Sequence, residues 1–197
     1  SKYCQELYAL TLGRRYGIPT VVLRYSITQG PRQSFYNAYS GILRSFVVRL
    51  LGGQPPVIYE DGRQLRDYLY VGDAVKANLL VMESAAADYQ VFNVGGTPPV
   101  TVQHYAGMVV RLSGRQVAPR LAGEFRFGDS RHTFSDATRL RALGWEAKTP
   151  LEQVIREYLE WASSQPEIPC HHHAAAARIM KQTDVVRCVR QPVSSTP

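Results

Sequence analysis

Thr20-Val21-Val22-Leu23-Arg24-Tyr25, closed downstream by the turn Gly30-Pro31, is the stretch that decides the fold. Its β-branched run reads as a short buried strand, and the glycine–proline pair as the turn that ends it. Just upstream, Ser1 to Tyr16 carries Tyr3, Leu7 and Leu10 at helical spacing, with Gly17 and Pro19 as stop signals. A helix running straight into an apolar strand is a piece of an α/β sheet.

Working outward, Ile42, Leu43, Phe46, Val47 and Leu50 mark an amphipathic helix that ends at Gly52-Gly53. Two short strands are expected around Val57-Ile58-Tyr59 and Leu65 to Tyr70, with Asp61-Gly62 turning between them. Asp73 suits the N-cap of a helix Ala74 to Met82, and Val91 to Val94 reads as a strand stopped by Gly95-Gly96. Thr101 is placed to cap a helix Val102 to Leu112, and Asp136 one from Ala137 to Leu143. Thr149-Pro150-Leu151-Glu152 has the form of a capping box opening a helix to about Trp161. Beyond Ser163 the pattern fails, and the prolines, the His171 to His173 triplet and the Ser-Ser-Thr-Pro end predict an irregular tail. Only Ala174 to Lys181 has helical character there.

The chain has 197 residues, 45% of them hydrophobic and 20% charged, so it has material for one domain or a small domain plus part of another. No apolar run approaches the roughly 18 residues that cross a bilayer, and no signal peptide opens the chain. The formal charge of +7 is spread along the sequence, without a helix–turn–helix, zinc-finger or RNA-recognition pattern. Nucleic acid is therefore not the expected partner; an anionic small molecule gripped by a few arginines is. Cys4, Cys170 and Cys188 are odd in number and far apart, which predicts a reducing, cytoplasmic setting and no disulfide framework. Consecutive histidines do not share a ligand position, so no metal site is expected.

Five short motifs occur in order. They are Ser1-Lys2-Tyr3-Cys4-Gln5-Glu6; Leu23-Arg24-Tyr25 with Gly30-Pro31-Arg32-Gln33; Tyr59-Glu60-Asp61-Gly62-Arg63-Gln64-Leu65-Arg66-Asp67-Tyr68 with Val71-Gly72-Asp73; Phe92-Asn93-Val94-Gly95-Gly96; and Gly128-Asp129-Ser130-Arg131-His132. Together, over about residues 1 to 162, they resemble the extended short-chain dehydrogenase/reductase family of sugar-nucleotide epimerases and dehydratases. Asn37-Ala38-Tyr39-Ser40-Gly41, Arg49-Leu50-Leu51 and Arg131-His132 are similar to its dTDP-L-rhamnose 4-epimerase branch.

The resemblance implies the C-terminal portion of an extended Rossmann-type α/β dehydrogenase. The last elements of the parallel sheet would occupy residues 1–30, an α+β substrate domain 31–163, and an irregular tail 164–197. The opening of the chain directly in a helical pattern suggests that Ser1 is a cut within a longer protein. NAD is the implied cofactor, a dTDP- or UDP-linked sugar the implied substrate, C4 epimerisation the implied reaction, and a homodimer the implied full-length assembly. A 4,6-dehydratase and a non-catalytic sugar-nucleotide-binding homologue are the alternatives.

Site residues follow from the same resemblance. Lys2 matches the lysine that stabilises a tyrosine phenolate and holds the nicotinamide ribose; the tyrosine would stand three residues before Ser1. Tyr3 cannot replace it, pointing about 100° around the helix from Lys2. On local grounds alone Lys2 reads as a surface ion-pair partner for Glu6, four residues on, and the resemblance reverses that reading. Tyr25 would neighbour the nicotinamide. Arg66 and Arg131 match diphosphate-binding arginines, against salt bridges with Asp67 or Asp61 and with Asp129 respectively. Asn93 resembles a substrate contact, against a turn-forming role. Val57, Ile58 and Tyr59 resemble the edge on which base and ribose pack, against ordinary sheet core. Two departures stand out: Ser26-Ile27 replaces the Phe-Asn usual before the Gly-Pro turn, and no G-x-x-G-x-x-G phosphate loop occurs. An isoleucine cannot make the asparagine's hydrogen bond.

Overall fold

The structure, a computed structural model, describes residues 1–36, 41–96, 98–168 and 172–188. In chain order its elements are α1 (Lys2–Tyr16), β1 (Val22–Tyr25), β2 (Ile27–Gln29), α2 (Ile42–Leu51), β3 (Val57–Ile58), β4 (Leu65–Arg66), β5 (Tyr68–Tyr70) and α3 (Val71–Glu83). There follow β6 (Val91–Val94), β7 (Val100–Thr101), α4 (Val102–Ser113), β8 (Arg120–Leu121), β9 (Glu124–Arg126), α5 (Thr138–Arg141), α6 (Leu151–Ser163), α7 (His172–Gln182) and β10 (Val186–Cys188). Two compact units result. One gathers Ser1–Pro31, Arg66–Pro99 and Thr133–Val154; the other Arg32–Leu65, Val100–His132 and Ile155–Pro197. The chain leaves the first unit after Pro31 and returns to it twice, so that residues 31–163 contribute to both.

The first unit is the α/β piece that the apolar strand announced. β1 runs parallel to β6 from Val22 opposite Val91 to Tyr25 opposite Val94, and β2 runs parallel to β5. Parallel neighbours need a crossover, so a long stretch of chain separates β1 from β6 and β2 from β5, and α3 lies within the first of these. Ala74, Ala77 and Val81 on one face of α3 pack with Leu69, Phe92 and Val94, and Ala137, Leu140 and Trp145 complete this core. The alanines let the helix lie close to the sheet. Burying a side chain the size of Leu140 contributes roughly 1.5–3 kcal/mol. Gly17 ends α1 in the left-handed conformation, with φ of 65°.

Two expectations in this unit are corrected. Asp73 does not precede its helix: α3 begins at Val71, and Asp73 sits buried in the first turn. Its carboxylate accepts hydrogen bonds from Lys76 Nζ (3.0 Å) and the Thr149 amide (3.0 Å), joining two segments of the unit instead of closing a helix end. The strand expected over Leu65 to Tyr70 is broken at Asp67, whose side chain turns inward as described below.

In the second unit Leu43, Phe46, Val47 and Leu50 of α2 and Tyr105, Ala106, Met108 and Val109 of α4 are buried. The Phe46 and Tyr105 rings lie 6.4 Å apart, and Phe35 stacks on Trp161 of α6 at 5.0 Å. Thr101 Oγ1 accepts from the His104 amide (3.1 Å), the expected cap of α4. The expected hairpin around Asp61-Gly62 does not form. β3 pairs in parallel with β8, Val57 opposite Arg120. Glu60 and Gly62 take positive φ (58° and 77°), and Asp61 Oδ1 accepts from the Arg63 amide (3.0 Å). That turn redirects the chain without folding it back on β3.

In the tail the helical character expected over Ala174 to Lys181 is found as α7, and the irregular course expected after it is corrected. Residues 172–182 form α7, and β10 pairs antiparallel with β9, Val186 opposite Arg126 and Cys188 opposite Glu124. Met180 and Val186 are buried, giving the segment the apolar anchors that its mixed composition concealed.

Candidate functional site

Lys2 lies in the first turn of α1 and is exposed. Its sequence rival as partner, Glu6, is engaged elsewhere. Arg24 of β1 donates to both Glu6 oxygens, Nε to Oε2 at 2.7 Å and Nη2 to Oε1 at 2.5 Å. That fork holds the Glu6 carboxyl below its ordinary range, the hydrogen bond from Arg24 being the main cause. Among the described residues Lys2 makes no salt bridge. Tyr25, next along β1, is 46% exposed at the strand's carboxyl end, and its hydroxyl donates to Asn78 Oδ1 (2.9 Å). An open cleft of about 380 Å³ beside it is lined by Pro19, Val21, Leu23, Asn78, Val81 and Met82, among others. Asn93 stands opposite Arg24 on β6, and its Nδ2 donates to the Asp136 carbonyl (3.1 Å).

Beside Arg66 the structure reveals a junction that sequence reasoning missed. Asp67, 3% exposed, accepts from Ser26 Oγ (2.7 Å), the Gly96 amide (2.8 Å) and the Ser135 amide (3.2 Å). Ser26 Oγ lies 2.9 Å from Ser135 Oγ as well. Asp67 is thus saturated by hydroxyl and amide groups of three other segments, in place of the arginine bridge considered for it. Arg66 itself lies on β4, half-buried, bridged to Thr133. Ser26, the first residue of the Ser26-Ile27 departure from the family pattern, finds its use here; Ile27 pairs with Tyr68 along β2.

In the second unit Ile58 is 2% exposed and belongs to the core, whereas Tyr59 is half-buried, and burial pushes its phenol above the ordinary value. Over the Tyr59 ring, 6.0 Å from its centre, stands the guanidinium of Arg126. Sequence reasoning passed over Arg126, although it sits just ahead of the quoted Gly128-Asp129 motif. Arg131 bonds Asp61 with two nitrogens (2.7 and 2.8 Å) and Glu60 Oε2 with one (2.7 Å), not Asp129. The pair drives the Asp61 carboxyl well below its usual range and the guanidinium upward. The structure therefore brings Lys2, Tyr25 and Asn93 onto neighbouring elements of one unit, and Ile58, Tyr59, Arg126 and Arg131 into the other. Asn37 to Ser40 lie outside the described residues.

The family model "NAD dependent epimerase/dehydratase family" matches residues 1–95. Over those residues the chain is similar to that family. It is 36% identical to the UDP-glucose 4-epimerase of Thermotoga maritima solved with UDP-glucose, with a TM-score of 0.75 over 84% of this chain and 53% of that one. The UDP-N-acetylglucosamine 4-epimerase of Methanobrevibacter ruminantium, in complex with UDP-N-acetylmuramic acid, gives 31% identity and a TM-score of 0.78 over 83% and 52%. The dTDP-L-rhamnose 4-epimerase of Burkholderia thailandensis is 28% identical over 148 residues, 75% of this chain and 40% of that protein. The chain spans about half the length of the solved family members it matches. Lys2, exposed on the first turn of α1, and Tyr25, at the open end of β1, are the residues that could hold the ribose–nicotinamide end of NAD. The chain offers no glycine loop for the pyrophosphate. No helix among the described residues is long and apolar enough to cross a membrane.

Proposed function

We propose that this chain supplies the substrate side, and the lysine-bearing edge of the cofactor side, of an enzyme that epimerises C4 of a UDP- or dTDP-linked sugar. The observation that carries the reading is the Arg24–Glu6 fork. It takes the carboxylate that would otherwise make Lys2 an ordinary surface ion-pair partner, and leaves an exposed ammonium near the carboxyl end of a parallel strand, where open α/β sheets bind ligands.

In this role the Lys2 ammonium stabilises a tyrosine phenolate by opposite charge, so that the phenolate takes the proton from the C4 hydroxyl as hydride leaves the same carbon. NAD, when bound, supplies the hydride acceptor and donor. The resulting 4-keto sugar presents its other face, and the phenol returns the proton as the C4 hydroxyl re-forms with inverted configuration. The tyrosine is expected from the polypeptide preceding Ser1. Tyr25 borders the nicotinamide, and Asn93 lies close enough along β6 to meet the sugar. Within the second unit Arg126 grips the diphosphate, with Tyr59 beneath the base, Arg66 of the first unit being the alternative donor to that group; Arg131, committed to Asp61 and Glu60, shapes the loop that follows Tyr59.

Tyr3, Tyr8, Leu12 and Tyr16 of α1 are all about half or more exposed, a density of apolar surface that supports a covering partner segment and a dimeric enzyme. The test joins this chain to an N-terminal dinucleotide-binding half and follows C4 inversion of UDP-glucose and dTDP-linked sugars with bound NAD. Inversion supports the reading; loss of water to a 4-keto-6-deoxy product replaces it with dehydration. Ile27 favours one further reading, a nucleotide-sugar binder without turnover, which binding in the absence of either product would establish.

A further inference from the structure

α7 and β10 have no part in the reaction proposed above, yet they are built onto the nucleotide side of the second unit. β10 extends the edge of β9 by three residue pairs, from Val186 opposite Arg126 to Cys188 opposite Glu124. Lys181 Nζ reaches Glu124 Oε1 at 2.5 Å, and the Arg187 guanidinium stands 3.9 Å over the Phe127 ring. Glu124 in turn accepts, through its carbonyl, the amide of Glu60 (2.8 Å), the residue next to Tyr59. Most directly, Arg126 Nη2 donates to Met180 Sδ at 3.3 Å, with Met180 itself buried. The donor proposed to grip phosphate is thus turned onto the C-terminal helix.

We infer that α7 and β10 form a strap that covers the Tyr59–Arg126 subsite while it is empty and is displaced when a nucleotide diphosphate binds. The inference rests on the reading of Tyr59 and Arg126 as part of that subsite. A thioether is a weak acceptor, whereas a phosphate oxygen makes a charge-assisted bond about twice as strong as a neutral one. The diphosphate therefore wins the Arg126 donor from Met180. The polar fastenings are modest, a three-residue ladder, a salt bridge whose lysine is 56% exposed and one cation–π contact, and among the described residues the apolar hold consists of the buried Met180 and Val186. The turn at Asp184, with φ of 56°, is held by an Arg187–Asp184 bond of 2.6 Å, so helix and strand move together.

The experiment compares UDP binding by calorimetry to the whole chain, to a chain stopped after Gln165, and to a Lys181→Ala/Arg187→Ala double variant that loosens the strap without exposing its bed. Removing a closed state raises the fraction competent to bind, so both altered chains should bind UDP roughly three- to tenfold more tightly. Hydrogen exchange over residues 177–188 of the whole chain should speed up as UDP is added. Equal or weaker binding by the double variant, or slower exchange of the segment with UDP, overturns the strap while leaving the subsite intact. If none of the three chains binds UDP, the subsite reading falls and the strap with it.

Discussion

Arg24 donates to both carboxylate oxygens of Glu6, and in doing so frees Lys2, one turn earlier on α1, from its natural helical partner. The fork also fastens the first half of α1 to β1, where few other groups do: the buried residues of the helix are Leu10 and Gly13, further along. A bidentate guanidinium–carboxylate contact fixes angle as well as distance, which a lysine–glutamate pair on the helix surface cannot do.

The first prediction concerns that freed lysine. In a polypeptide joining this chain to a dinucleotide-binding half, Lys2→Ala should lower turnover by roughly 10²-fold or more, with the rate rising toward alkaline pH as the tyrosine loses its cationic neighbour. Glu6→Gln should weaken the fork, quicken hydrogen exchange over the first turns of α1 and lower turnover by a smaller factor. An unchanged pH–rate profile in Lys2→Ala would return Lys2 to the solvated surface.

Gly96 makes a prediction about the fold around Asp67. A Cβ on this residue would lie 1.8 Å from the Tyr68 carbonyl oxygen, a backbone atom that cannot swing aside. Gly96→Ala should therefore cost about 3 kcal/mol or more and disturb the amide that Asp67 accepts. Urea denaturation measures the loss. Ser26→Ala, which removes one donor but leaves two amides on Asp67, should cost only about 1–2 kcal/mol.

Asp73 sets an acid limit. Burial alone would raise its carboxyl, but hydrogen bonds from Lys76 and Thr149 outweigh that and hold it below the ordinary value. With the folded pKa depressed, the contribution to stability is complete above the unfolded value. It is lost as pH falls from there through the lowered folded value. The wild-type chain should lose melting temperature across this acid window more steeply than Asp73→Asn, which has no proton to take up and should be less stable at neutral pH. Parallel slopes would remove Asp73 from the acid transition.

The helices were legible because each carries its own period and stop signals: α1 with Gly17, α2 with Gly52, and α4 with the Thr101 cap all stand where periodicity put them. Strand pairing was not, because a two-residue strand such as β3 has no pattern to say whether its partner is nearby β4 or distant β8. The Lys2 and Tyr25 positions came from motif resemblance, but the fate of Glu6 depended on Arg24, brought close only by packing. Asp67 read as an arginine partner because its true donors, Ser26, Gly96 and Ser135, are remote in sequence. Arg126 escaped notice since a single arginine ahead of a Gly-Asp pair carries no local signal, and its place over Tyr59 exists only once β9 is laid down.

The arginines allow the sharpest separation of binding from stability. Arg126→Ala should weaken UDP binding by about 1.5–3 kcal/mol, the range for hydrogen bonds to a charged group, with Lys in place of Arg recovering charge but not the fork; the same loss in Arg66→Ala instead would make Arg66 the donor. Arg131→Ala should behave differently. Its guanidinium is 43% exposed and already satisfied by Asp61 and Glu60, so its loss should relax the turn after Tyr59 and lower the melting temperature slightly. UDP affinity of the folded fraction should stay within about twofold. The same chains, measured for melting temperature and UDP affinity together, decide the assignment. A loss of affinity in Arg131→Ala matching that in Arg126→Ala, without a change in melting temperature, would restore Arg131 to the diphosphate. Unchanged affinity in Arg126→Ala would withdraw that residue from it.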